Sequence, residues 1–504
     1  MAEPVQIPVS GAPLARIRRT VAPGTAPERL LDIFEGRPRG FWGRGDRWVA
    51  WGDALAEVTV HEPARERFAR VRSETARLLG SHALPRGLDG GLPGGLPGGL
   101  PEGIEGVATD APPRLFGGFS FLERPEPNGS WAAFPPARFV LPGAMLFGGP
   151  EGCTLVVQRF AGGDAEAEAE ADLLVAALRD AVAAAGDFTP TEPVAPAGER
   201  SEERGEEAWS RGVEAVLAAE REARADAVTA AGSLDGSAGT GLEKAVLART
   251  RDVLLPDPVS VPRLLRFLRH ENRQAHVFVF EPEPGRALFG AAPEVLADLR
   301  GGRFHATAVA GSAPRGRTTH EEQLFAGGLL TSTKDRAEHR VTLEEMVATL
   351  RPRLRSLTVP DAPGVLTLAR IQHLETPIHG EAAEGEDILG LVEALHPTPA
   401  VCGRPREAAL AMIRQAEPFE RGWYAGPVGW LDASGDGDFV PALRIGVGGG
   451  RRWRLYAGAG IVEGSDPHSE WEETALKFEP AHRALRAGAE PGHGPSGDGT
   501  AAGD

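Results

Sequence analysis

The sequence predicts an α+β fold built on large antiparallel sheets. Short apolar runs of strand length recur through most of its 504 residues. Helix-period segments fall between them irregularly, without the βαβ alternation of a parallel sheet. Glycines stand inside several of the strand-like runs, where a bulge or a close backbone approach asks for them.

In chain order, FWGRGDRWVAWG (41–52) predicts an aromatic strand or hairpin. The GGLP repeat within 89–101 holds too much Gly and Pro for a helix or central strand, and predicts a surface loop. RLFGGFSFLE (114–123), RFVLPGAMLF (138–147) and CTLVVQRF (153–160) predict consecutive antiparallel strands. Residues 164–185 predict a helix, with Leu173, Leu174, Ala177, Leu178 and Val182 at helical spacing. Pro- and Glu-rich sequence from Phe188 to Glu207 predicts a solvated linker between two parts of the fold, or a long excursion. Helical periodicity returns at Trp209, with Val213, Val216 and Leu217 on one face, and 225–241 is expected to be an insertion. From Leu242 to about Leu485 strand-like runs dominate, with helices predicted near 260–270, 320–352, 386–395, 405–415 and 468–487. The tail from Gly488 predicts disorder.

Composition excludes several classes. A net charge of −17 and a pI near 5.4 argue against a nucleic-acid partner, which asks for a basic stripe. Cys153 and Cys402 are the only cysteines, too few for a disulfide framework or a zinc cluster, and a reducing cytoplasm is the expected compartment. MAEPVQIPVSG lacks the basic and apolar regions of a secretory signal, so none is expected. No apolar run approaches the roughly 18 residues of a membrane span. Of 54 lysines and arginines only Lys244, Lys334 and Lys477 are lysines. A guanidinium stays protonated, whereas an ammonium on a flexible stem can be tuned to lose its proton. The three positions are therefore candidates for chemistry or for a compact charge.

Three constellations carry chemistry. TSTKDRAEH places Asp335 and Glu338 at i,i+3, and SDPHSEWEETALK does the same for Glu470 and Glu473, with Lys477 one turn on. Four carboxylates from two helices suit a hard divalent cation, for which Mg²⁺ with its retained waters is the expectation. Spacing alone favours two solvated, ion-paired helix faces over such a site. Glycines in AVAGS (308–312), GAAPE (290–294) and YAGAGIV (456–462) leave backbone N–H groups open to a carboxylate, or simply serve strand geometry. None forms a nucleotide-binding fingerprint. Finally, Lys244 on an apolar strand is expected to be desolvated toward base function, and Glu294 in apolar surroundings toward acid function.

LEKAVLAR, GAAPEVL, AVAGSAPRG, STKDRAEH, HPTPAVCGRP, GWYAGPVGW and YAGAGIVEGSDPHSEWEETALK occur together in this order. The chain resembles the chorismate-utilising enzymes, and among them the isochorismate synthases, from about Trp209 to Leu485. RLFGGFSF resembles the family's more variable N-terminal half. The resemblance implies two large antiparallel sheets packed face to face with helices outside. It divides the chain into the variable half (1–160), a helix and linker (161–208), a chorismate-binding catalytic region (209–487) and a tail (488–504). The GGLP repeat and the stretches around 162–208 and 225–241 lengthen the chain beyond the family pattern.

The resemblance implies Mg²⁺-dependent conversion of chorismate to isochorismate, with water attacking C2 and the C4 hydroxyl leaving. By similarity Lys244 activates the water and Glu294 protonates the leaving hydroxyl. Glu338 and Glu473 would bind the metal, with Asp335 and Glu470 behind its waters. Gly311 N–H and Lys477 would help hold the ring carboxylate. Tyr424, Arg444, Gly458 and Gly460 match positions that bind the enolpyruvyl carboxylate. Ser312, His373 and Ala400 match substrate-contacting positions, His373 as an orienting group rather than a metal ligand. Lys334 is left with an ion pair at the start of its helix. Ala310 stands where aminodeoxychorismate synthases carry a covalent lysine, which leaves water or ammonia as nucleophile. The alternatives are a salicylate- or anthranilate-type lyase, and a non-catalytic chorismate-fold binding protein. Neither an obligatory protein partner nor a membrane contact is implied. Isochorismate feeds both menaquinone and siderophore synthesis, and the sequence does not choose between them.

Overall fold

The structure, a computed structural model, describes residues 14–489 except 62–65, 81–111, 123–128, 161–162, 185–191, 204 and 232–240. The GGLP repeat and the tail beyond Ala489 lie outside the described residues. All strand pairings among the described residues are antiparallel and join 20 strands in one ladder.

The ladder becomes two layers at its longest strands, β3 (Arg47–Val60) and β5 (Ala137–Gly149), which pair along most of their length. Asp53 at φ 64° and a register shift between Ala54 and Ala56 bend the pair in its middle. One layer places β1 (Leu14–Val21) and β6 (Gly152–Phe160) beside β5. From β3 it continues through β2 (Arg39–Arg44), β9 (His276–Glu283) and β10 (Arg286–Ala292). It ends through β19 (Ile445–Gly449) and β20 (Arg452–Ile461) on β8 (Lys244–Leu254). Short strands β7 (Arg200–Glu203) and β16 (Gly403–Arg404) flank β8.

The other layer starts on β5 and runs through β4 (Arg114–Phe119), β17 (Pro427–Asp432), β18 (Gly437–Pro441) and β11 (Ala297–Arg300). It ends on β12 (Arg303–Pro314) and β15 (Ile371–Ala382), against which β13 (Leu354–Thr358) and β14 (Gly364–Thr367) pair.

Trp42, Trp51, Phe278 and Leu288 of the first layer share one buried core with Phe116, Val428, Trp430 and Val440 of the second. Each such side chain contributes roughly 1.5–3 kcal/mol on burial. The outer face of the first layer packs under α1 (Pro27–Ile33), α3 (Asp164–Ala183), α5 (Val261–Glu271) and α10 (Pro467–Ala489). That of the second packs under α2 (Arg67–Leu79), α7 (Thr333–Leu350) and α8 (Ile388–Leu395). The expected face-to-face sheets with helices outside are thus what the chain forms.

Local differences have local causes. The helix predicted over 320–352 is two, α6 (Thr319–Thr331) and α7, because Ser332 in extended conformation ends one and caps the other, its Oγ accepting from Asp335 N–H. In α3 the buried stripe is Ala167, Ala171, Leu174 and Leu178, while Leu173 is 70% exposed. Part of the expected 225–241 insertion is helical, since α4 (Glu206–Ala231) continues to Ala231. Within the expected linker, β7 adds an edge strand to β8. There Glu199 also accepts from Arg486 and pairs with His482, because the last turns of α10 are basic. Gly488, read as tail, belongs to α10, and its carbonyl accepts from Ser260 N–H at 3.0 Å.

Candidate active site

The two layers end near each other, β20–β8 on one side and β12–β15 on the other, with α7 and α10 closing over them. A cavity of about 720 Å³, mouth included, lies between these elements. Glu294, Gly311, Ser312, Glu338, His373, Ala400, Tyr424, Arg444, Gly458, Gly460, Glu473 and Lys477 all line it. Lys244, Asp335 and Glu470 stand behind that lining.

Lys244 is fully buried, as an apolar strand predicts, but it is not alone. Its Nζ lies 3.1 Å from Glu338 Oε1 and 3.3 Å from Thr342 Oγ1. Burial would raise the Glu338 carboxyl, but Lys244 above all, with Lys334 and Lys477, holds it below its ordinary value. Thr342 carries no motif signal beyond standing one helical turn after Glu338, on the same face of α7. Gly460 makes the pair possible, since a Cβ there would collide with Glu338 Oε1.

Glu294 behaves as its apolar surroundings predict. Burial pushes its carboxyl up to about 8, against a weaker opposite pull from Lys244. Its Oε1 is buried and makes no hydrogen bond. At neutral pH this is a carboxylic acid with a proton to give.

The glycines and the histidine form one polar wall. Gly311 sits at φ 74° on a bulge of β12 between Ala310 and Ser312. His373 Nδ1 lies 3.1 Å from both the Gly311 carbonyl and Ser312 Oγ, while its Nε2 meets Arg444 Nη2 at 2.6 Å. A guanidinium only donates, so Nε2 accepts and the ring proton sits on Nδ1, directed at Gly311. Burial and the Arg444 and Lys477 charges keep this imidazole neutral. Arg444 itself, at φ 52°, is pushed down to about 10 by burial. Tyr424 stacks on Tyr456 with centroids 5.2 Å apart, and burial raises its phenol. Lys477 Nζ donates to the Gly458 carbonyl at 2.9 Å.

Asp335, Glu338, Glu470 and Glu473 come together between the two helices, and each of these three glutamates meets one of the chain's three lysines. Glu338 meets Lys244, Glu473 meets Lys477 at 2.6 Å, and Glu470 meets Lys334 at 2.5 Å. Lys334 thus bridges α7 to α10, an ion pair across helices. As they stand, no three His, Cys, Asp or Glu side chains among the described residues converge closely enough to hold a metal ion. The donor set is nonetheless all oxygen and crowded. Burial, with repulsion from neighbouring carboxylates, raises Asp335 and Glu470 above their ordinary values, and Glu470 Oε2 is buried without a hydrogen bond. Such a set suits a hard cation.

One further buried group escaped the sequence reading. Arg421 forms a bidentate ion pair with Glu417 and donates to the carbonyls of Val246 (2.8 Å) and Val401 (2.9 Å). Both valines line the cavity. An Arg–Glu pair at i,i+4 is common on helix surfaces, and no sequence signal marks this one as buried.

Comparison with known proteins agrees with this fold. The family described as chorismate binding enzyme matches residues 104–486. The chain is 36% identical over 441 residues to a salicylate biosynthesis isochorismate synthase of Pseudomonas aeruginosa, covering 87% of this chain and 83% of that one. It is 34% identical to the isochorismate synthase MenF of Bacillus subtilis, over 74% of each. A solved Bacillus anthracis chain assigned as DhbC, a 2,3-dihydroxybenzoate-specific isochorismate synthase, superposes with a TM-score of 0.66 at 25% identity, covering 91% of this chain and 99% of that one. The chain belongs to the chorismate-binding enzyme family.

Proposed function

We propose that the protein is an isochorismate synthase, converting chorismate to isochorismate with Mg²⁺. The observation that carries this reading is Glu294: a buried carboxyl, protonated at neutral pH, in the same cavity as a guanidinium, a phenol and the carboxylates of α7 and α10. Two anionic groups of the substrate find cationic counterparts there. Arg444 and Tyr424, with the open backbone at Gly458 and Gly460, receive the enolpyruvyl carboxylate. Lys477 and Gly311 N–H receive the ring carboxylate. Ser312 and Ala400 border the ring, and His373, neutral and fixed by Arg444, orients it.

Lys244, acting as the free amine once its ammonium proton has passed to solvent, takes a proton from water as the oxygen bonds to C2. The ring double bond shifts, and the C4–oxygen bond breaks as Glu294 gives its proton to the leaving hydroxyl. Water enters and water leaves, so the product is an isomer of the substrate. The two groups exchange one proton with solvent to reset. General acid–base assistance of this kind supplies about 10²–10⁴-fold each. A Mg²⁺ ion held by Glu338 and Glu473, with Asp335 and Glu470 behind them, would supply positive charge to the ring carboxylate.

Water as nucleophile requires no second subunit, and the cytoplasm is the compartment we assign. Among the described residues no helix is long and apolar enough to cross a membrane. The direct test is purified protein with chorismate and Mg²⁺, with products identified by NMR. Isochorismate alone is expected. Salicylate with pyruvate would assign a lyase, turnover only with ammonia an anthranilate-type enzyme, and no turnover a binding protein.

A further inference from the structure

The outer edge of β8 is only partly paired. On the edge away from β20, β16 reaches Lys244 and Ala245, β7 reaches Arg251 to Leu254, and Val246–Thr250 between them meets no strand among the described residues. Val246 N–H donates to the Cys402 carbonyl at 2.8 Å, and side chains bridge the rest. Ala248 N–H donates to Glu417 Oε1 at 2.8 Å, and the Val246 carbonyl accepts from Arg421. A strand residue turns its N–H and C=O to the same edge, so the Ala248 carbonyl also faces the gap.

Behind this gap lies a second cavity of about 1100 Å³, mouth included, between β8, α4, α10 and α9 (Arg406–Ala416). Trp209, Phe419, Trp471 and Leu247 give it apolar and aromatic walls. Arg249 is buried in the wall with its guanidinium 3.4 Å from the centre of the Trp471 ring. Thr474, Glu203 and the Trp471 carbonyl engage three of its five N–H donors. Arg211 stands exposed at the rim. The carboxylates nearby already have cations: Glu417 has Arg421, and Glu203 has Arg249 and Arg251. The site therefore offers ring faces and guanidinium donors, a combination that selects a planar apolar anion.

We propose that this cavity binds a small aromatic carboxylate, and that its binding is felt in the first cavity. The ring packs against Trp209, Phe419 and Leu247, and the carboxylate meets Arg249 and Arg211. Transmission needs no long path. Glu417 lines the second cavity, and Arg421, bound to it, holds the Val246 and Val401 carbonyls at the first. Tyr424 N–H also donates to the Arg421 carbonyl at 2.8 Å. Glu417 and Arg421 move as one unit, so a ligand that shifts Glu417 shifts three wall residues of the chorismate site with it.

The test uses the full chain and benzoate, with benzyl alcohol as neutral counterpart, followed by ligand-observed NMR. Saturable benzoate binding is expected with Kd on the order of 1 mM or tighter. Benzyl alcohol should bind about fivefold more weakly or worse, for want of the charged hydrogen bonds. Ala215 of α4 also lines this cavity, and Ala215→Trp, which fills it, should abolish benzoate binding while leaving turnover without benzoate intact. Arg211→Glu, at an exposed position safe for folding, should weaken benzoate and leave benzyl alcohol unchanged. Benzoate should shift the KM for chorismate about twofold or more in the parent and not in Ala215→Trp. Absence of saturation, or binding that survives Ala215→Trp and is displaced by chorismate, would overturn the site. Binding with an unchanged KM would overturn the coupling. Because NMR reads binding without turnover, failure here is distinct from failure of the proposed activity.

Discussion

Two buried ion pairs hold β8, and they are built differently. Arg421–Glu417 is bidentate, with both side chains nearly inaccessible and the remaining donors on backbone carbonyls. Lys244–Glu338 is a single contact of 3.1 Å, helped by one hydroxyl, and Glu338 opens onto the cavity. Both oxygens of Glu417 are engaged, by Arg421 and by Ala248 N–H, and the planar fork fixes that geometry. Of Glu338 only Oε1 meets Lys244, which leaves the other oxygen to the cavity and the ammonium on a flexible stem. The comparison teaches that burial alone does not mark a catalytic charge. What separates the two is how many of their bonds the fold has already used.

The strongest way to break this contrast is Lys244→Ala. Turnover should fall about 10²–10⁴-fold while chorismate binding, followed by fluorescence titration, persists. Normal turnover would remove Lys244 from the chemistry. Arg421→Met should do the reverse. Leaving Glu417 buried without a partner should cost about 3–5 kcal/mol of stability in denaturant unfolding, with activity lost through a raised KM. Unchanged stability there would erase the structural half of the comparison.

Glu294 sharpens it through pH. Its acid role requires a proton, so kcat/KM should decline about tenfold per unit above roughly pH 8. The stability effect has a defined sign. The folded chain keeps this proton up to about 8, whereas the unfolded chain releases it near 4.5. Its contribution is therefore full below the unfolded value and is lost as pH rises through the folded one. Glu294→Gln should abolish most activity yet raise Tm at pH 8 relative to the parent, a gain that vanishes at pH 4. A Tm unchanged at both pH values would show that the carboxyl is not raised. The smallest effect belongs to Gly460→Ala. It should lower activity about tenfold by displacing Glu338 from Lys244, with folding retained, as circular dichroism and kinetics together would show.

Sequence by itself determined a good deal. The strand-like runs and helix periods mark the α+β class, and their motifs name the cavity wall, because apolar spacing and glycine placement are local properties of the chain. Glu294 was legible as a raised carboxyl for the same reason: its immediate neighbours are apolar. The restriction to three lysines was visible too. Only the tertiary structure decided that each meets a different glutamate of α7 and α10, because those pairs join residues far apart in sequence. It also decided that Lys244 has a partner, that Ser332 splits one helix into two, and that Arg421 ties β8 to the cavity wall. A hydrogen-bond partner supplied by another strand or helix leaves no period or motif behind. Packing assigns it, once two bent strands have brought the ends of the layers together.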